Sequence, residues 1–169
     1  MRPGVVLFGT LVLLWALVEQ ANHLIAPLHI SLFLGGLYLT YAALVFPPRI
    51  AGPVVFLAGL VCDANGFLPF GTEAFLFLGA QTLLAHQRDR LPHEDTLGRV
   101  AIAWLCNLVL FLAISLVRAD HAPLLRAYWT RAAADLVVSQ LVLAFTAPWF
   151  FALQSAALDR AGGTSFRRL

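Results

Sequence analysis

The sequence predicts an all-α integral membrane protein, a bundle of six transmembrane helices in which the third and fourth are short and interrupted. Three observations predict this. The 169 residues are 60% hydrophobic and only 12% charged, with a mean hydropathy of +0.82, far from the roughly 25% charge of ordinary soluble domains. The apolar residues fall in six runs, separated by proline, glycine and polar breaks that suit helix ends. The eleven basic residues are all arginine and are distributed unevenly between alternate loops.

The first segment runs from about Gly4 to Val18 and closes on Glu19, Gln20, Ala21, Asn22 and His23, a polar cluster suited to the headgroup region. Met1, Arg2 and Pro3 ahead of it resemble the charged start of a signal peptide, but Val18 to Ala21 is a poor cleavage site. It therefore reads as a helix that stays in the membrane. The second segment, about Ile30 to Phe46, is stopped by Pro47, Pro48 and Arg49. The third, about Ile50 to Cys62, and the fourth, about Thr72 to Ala85, are both short for a 30 Å hydrocarbon core. Helices that stop inside the membrane need protein or water to cover their exposed backbone. The fifth segment spans about Gly98 to Val117 and the sixth about Ala132 to Leu158, where Pro148 is expected to produce a kink. Residues 159–169 form a tail. The stretch from Ala122 to Trp129 fits either an interfacial segment or an ordinary loop.

With six crossings and a cytoplasmic N-terminus, Arg2, Arg49, Arg88, Arg90, Arg99, Arg160, Arg167 and Arg168 fall inside, and Arg118, Arg126 and Arg131 outside. Eight against three follows the positive-inside bias and places both termini in the cytoplasm. A five-helix map sends the C-terminal arginines outward and fits less well.

Function is expected first at Gly59 to Gly71, where Asp63 and several helix-breaking residues sit between two apolar runs. A carboxylate there needs a boundary, a cavity or a partner. Asp63 and Glu73 flank the break, and Glu73 lies in the first turn of the fourth helix, where the helix dipole favours negative charge. The plainer role for both is structural, starting that helix and tying down the turn. Arg131 and Asp135 are four apart, with Ser139 one turn further on, which suggests an intrahelical ion pair or, less simply, a polar groove. Glu19 with Gln20 suits a solvated helix end. Ser31, Gly35, Gly36 and Thr40 give the second helix small residues at four-residue spacing, a packing signal.

Other classes are disfavoured. The arginines form no stripe that tracks a phosphate backbone, so no nucleic-acid partner is expected. Cys62 and Cys106 lie inside apolar runs and imply neither a disulfide framework nor a metal site. The five histidines lack metal-binding spacing, and no phosphate loop or nucleophile elbow occurs. The expectation is a non-enzyme without metal or cofactor.

Gly59, Leu60, Val61, Cys62 and Asp63, followed by Gly66, Pro69, Phe70 and Gly71, resemble the G-x-x-x-D-x-x-(S)-G-x-x-P-L-G segment of the rod shape-determining protein MreD family. Phe70 stands where leucine is usual, and His29 where an acidic start to the second helix is expected. Chain length and the basic turns at Arg49, Arg88 and Arg90 resemble that family as well. The resemblance implies a scaffold of the peptidoglycan elongation machinery in the bacterial inner membrane, with a bitopic partner, MreC, and through it MreB filaments, RodA and a class B penicillin-binding transpeptidase. Membrane lipid and a second copy of the chain complete the expected partners. Asp63 and the Gly66 to Gly71 turn would then shape a groove for the partner's single helix. The chain is also similar in size and interrupted helices to the substrate-binding S-component of energy-coupling-factor vitamin transporters, where Asp63, Asn65, Glu73, Trp129 and Arg131 would line a pocket. A proton-coupled exporter is a third reading, weakened because the acidic residues lie near helix ends.

Overall fold

The computed structural model describes residues 2–64, 69–88, 95–120 and 124–160, and within them every regular element is helical. Six α-helices follow in order: α1 Arg2–Ile25, α2 Gly35–Val45, α3 Pro48–Asp63, α4 Thr72–Gln87, α5 Thr96–Ala119 and α6 Leu125–Arg160. A single 3-10 turn, Ala26–Leu28, caps the end of α1. Three stretches are each long and apolar enough to cross a membrane: Gly4–Leu28 in α1 and the 3-10 turn after it, Thr96–Ala119 in α5 and Leu125–Ala157 in α6. The chain is a membrane protein. Leu105, Val109 and Leu116 on α5 and Phe145, Trp149 and Leu153 on α6 are exposed at helical spacing, as side chains facing acyl chains must be.

The other three helices differ in kind. At about 1.5 Å per residue, the 16 residues of α3 and of α4 give helices of about 24 Å, short of the hydrocarbon thickness as expected. α2 has only 11 residues, of which Gly35 to Leu44 are all buried. An apolar helix without a polar face belongs inside a protein. α2 contacts α3, α4, α5 and α6, while α3 packs most extensively on α4. α2 is thus the central post of the bundle.

Two positions let backbones approach closely. A Cβ on Gly36 would run into the backbone of Asn107 on α5, with its Cα 2.5 Å away, and a Cβ on Gly59 would lie 2.5 Å from the Cα of Ala74 on α4. Between α2 and α3 the chain reverses at Phe46 and Pro47. The Pro47 carbonyl accepts the N–H groups of Ile50 and Ala51 at 2.9 and 3.0 Å, and Pro48 occupies a first-turn position that needs no N–H.

The boundaries correct the sequence reading in places. The first helix continues past Val18 to Ile25, because Glu19 to His23 are all good enough helix formers to extend a helix already nucleated. The second helix begins at Gly35, five residues after the expected Ile30. The sixth begins at Leu125, seven residues before Ala132, which resolves residues 125–129 as helix. Pro148 lies inside α6, as in the expected sixth segment. Gly66, Asn65 and residues 161–169 of the expected tail lie outside the described residues.

Candidate functional site

Three arrangements gather the chain's polar groups. The first joins α3 to α4. Asp63, the last residue of α3, is 4% exposed. Its Oδ2 accepts the backbone N–H groups of Gly71 and Ala74, both at 3.1 Å, and its Oδ1 accepts that of Glu73 at 2.9 Å. A helix start has N–H groups without intrahelical partners and a positive dipole end, and one carboxylate from the preceding helix meets both needs. Gly71 carries φ +99° at the cap position, a conformation that glycine adopts without Cβ strain. The Pro69 carbonyl accepts both the backbone N–H and the hydroxyl of Thr72, at 3.1 and 2.7 Å. Gly59, Asp63, Pro69, Gly71 and Glu73 therefore form one continuous staple, with Gly59 allowing α3 to touch Ala74. Glu73, buried at 7% exposure, receives a hydrogen bond from the Arg118 guanidinium of α5 at 3.1 Å.

The second arrangement is the segment from Ile30 to Leu34, which the sequence reading made helical. It has no regular structure, yet side chains from α1 and α6 take up its backbone, and one from α5 takes up the start of α2. The N–H of Ser31 donates to Asp135 Oδ1 at 3.0 Å and its hydroxyl to Oδ2 at 2.8 Å. Asn22 accepts the N–H of Leu32 and donates to the Leu32 carbonyl at 3.1 Å. Ser139 accepts the N–H of Phe33 at 3.0 Å, and Asn107 that of Gly36 at 3.1 Å. Irregular backbone buried in a membrane protein is tolerated where protein satisfies it in this way. Asp135 is thus engaged by Ser31, and the expected Arg131–Asp135 ion pair does not form: among the described residues Arg131 has no ionic partner. Asn22 and Asn107 were not singled out from the sequence. The signal for Asn107 was one amide inside the long apolar run of α5.

The third arrangement is a cavity of about 520 Å³ lined by this segment and by residues of all six helices. α1 and α6 touch only sparsely, and the cavity lining includes the end of α1 and the start of α6. Glu19, Arg131, Asp135 and Glu73 all line it, with Tyr38 and Arg118 beside them. The residues expected as secondary candidates are brought together with Glu73, whereas Asp63 is taken up by the staple. Trp129 is not part of the lining and packs edge-on against Tyr128, ring centroids 5.5 Å apart.

A separate apolar groove of about 820 Å³ runs along α3 and α4, between Pro48, Gly52, Pro53 and Phe56 on one side and Phe75, Leu78, Thr82 and His86 on the other. Gln81 lines it, is 2% exposed, and neither end of its carboxamide has a hydrogen-bond partner among the described residues. Comparison with protein-family models, characterised proteins and solved structures gives no match.

Proposed function

We propose that the chain is a non-enzymatic adaptor in the bacterial inner membrane, a scaffold of the peptidoglycan elongation machinery that holds MreC and, through it, MreB, RodA and a class B penicillin-binding transpeptidase. The resemblance of Gly59 to Gly71 to the MreD segment motivates the reading. The observation that carries it is the α3–α4 groove with the unpaired Gln81. A buried amide without partners is costly, and a partner helix packed in the groove would satisfy it once the carboxamide, now buried, turns outward. Gly52 leaves room there: a Cβ on it would meet only the Leu78 side chain, at 3.7 Å. The occupant we assign is the single transmembrane helix of MreC.

In this reading the chain crosses the membrane six times with both termini in the cytoplasm. Arg49 and Arg88 then sit at the inner surface, and the cavity opens to the outside. The α3–α4 staple acts by fixing the two walls of the groove relative to each other.

A second reading, the S-component of an energy-coupling-factor transporter, is favoured by the polar cavity of about 520 Å³, a size that suits a small ligand. One experiment separates the two. The tagged protein is purified from its native membrane in mild detergent, and co-purifying proteins and released small molecules are identified by mass spectrometry. Recovery of MreC with wall-synthesis proteins, reduced in a Gln81→Leu variant, supports the adaptor. A stoichiometric vitamin together with an ATP-driven module overturns it.

A further inference from the structure

The cavity lined by the end of α1 and the start of α6 holds charges that the fold does not use. Glu73 is paired with Arg118, and Asp135 is occupied by both donors of Ser31. Glu19 on α1 and Arg131 on α6, of opposite sign and both lining the cavity, have no hydrogen-bond or ionic partner among the described residues. Tyr38, from the central helix, is 6% exposed and lines the same cavity, and its hydroxyl is likewise without a hydrogen-bond partner among them. A phenol oriented into a cavity from a buried post is an independent indication of a ligand, because buried polar groups are normally satisfied. Three aromatic side chains, Trp15, Phe33 and Phe111, also line the cavity.

The wall is also rigid. Its irregular stretch is fixed by Asp135, Asn22 and Ser139, and Tyr128 is tied to α5 by donating to the Ser115 carbonyl at 2.8 Å. A site held in shape before binding loses less entropy on capture. The two asparagine and aspartate side chains that hold the wall are consumed by it, which leaves Glu19, Arg131 and Tyr38 to meet a guest.

We propose that this cavity binds a small zwitterion, its ammonium group received by Glu19 and Tyr38 and its anionic group by Arg131. The same chemistry is presented by a free amino acid and by the headgroup of phosphatidylethanolamine. The inference does not rest on the adaptor reading, since the groove lies along α3 and α4 and shares neither Glu19 nor Arg131.

The test is isothermal titration of the full-length protein, purified in detergent, with free phenylalanine and with glycerophosphoethanolamine, alongside native mass spectrometry in nanodiscs of phosphatidylethanolamine or of phosphatidylglycerol. Saturable binding of phenylalanine identifies a soluble guest. Binding of glycerophosphoethanolamine, with retention of phosphatidylethanolamine but not phosphatidylglycerol, identifies a lipid headgroup. Either result supports the site, provided Glu19→Gln and Arg131→Gln each weaken binding about tenfold or more, and Tyr38→Phe weakens it less. Both charged positions are exposed, so these variants retain the wild-type melting temperature. The proposal is overturned if none of the probes binds, if phosphatidylglycerol is held as well as phosphatidylethanolamine, or if both charge-removing variants bind like the wild type. Failure of MreC capture in the pull-down, with zwitterion binding intact, would sink the adaptor reading alone.

Discussion

Replacing Asp63 by alanine removes the acceptor for three backbone N–H groups at once, those of Gly71, Glu73 and Ala74. A hydrogen bond to a charged group is worth about 1.5–3 kcal/mol, and loss of a helix N-cap alone about 0.5–2 kcal/mol. The three bonds share one carboxylate and are not additive, but the side chain is 4% exposed, so water cannot replace it freely. The expected cost is about 3–5 kcal/mol. Asp63→Asn keeps the shape and one accepting oxygen, and should cost about 1–3 kcal/mol. At about 2–4 °C per kcal/mol for a chain of this size, alanine should lower the melting temperature by on the order of 10 °C. The assay is thermal unfolding in detergent, followed by loss of monodisperse protein on size exclusion. If Asp63→Ala melts within about 2 °C of the wild type, Asp63 is not the staple that joins α3 to α4, and its bonds are incidental to stability.

Three further outcomes are expected. Gly59→Leu should separate α3 from α4, since even a Cβ would lie 2.5 Å from Ala74 Cα; overpacking of this kind costs about 1–3 kcal/mol or more, and the same thermal assay reads it. Gln81→Leu should raise the stability of the isolated protein by about 1–2 kcal/mol by removing a buried unsatisfied amide, while lowering MreC recovery; unchanged recovery counts against the groove. Asn107→Leu removes the acceptor for the Gly36 N–H at 3.1 Å and should expose the start of α2 to hydrogen exchange, with a loss of about 1–3 kcal/mol; unchanged protection of Gly36 would show that the amide is not what holds this N–H.

The membrane class, the order of apolar segments and the short third and fourth helices were legible because each rests on local composition and on Pro or Gly breaks such as Pro47 and Gly71. The α3–α4 staple was half legible: Asp63 and Glu73 stood out as charges between apolar runs, but that Asp63 reaches eight to eleven residues ahead to cap α4 depends on the turn's conformation. The unwinding of residues 30–34 was not legible. Ile30 to Leu34 is as apolar as a helix, and what keeps it irregular is Asp135, Ser139, Asn107 and Asn22, polar residues on other helices. Arg131 and Asp135 at four-residue spacing pointed to a local pair, and the long-range Ser31 contact displaced it. Local pattern reports what a segment prefers alone; the unwound stretch exists only because distant side chains replace the hydrogen bonds that helix would have supplied.

That dependence sets an order for biogenesis. Ser31 and its acceptor Asp135 are 104 residues apart in the chain, and at about 5–20 residues per second of synthesis the donor emerges roughly 5–20 s before its partner. During that interval the N–H groups of Ser31, Phe33 and Gly36 have no acceptor, because Asp135, Ser139 and Asn107 lie on α5 and α6. The central post is therefore the last part of the molecule to set, although it lies second in sequence. A nascent chain halted before α6 is an open ring around an unformed axis, the form that membrane quality control would meet first.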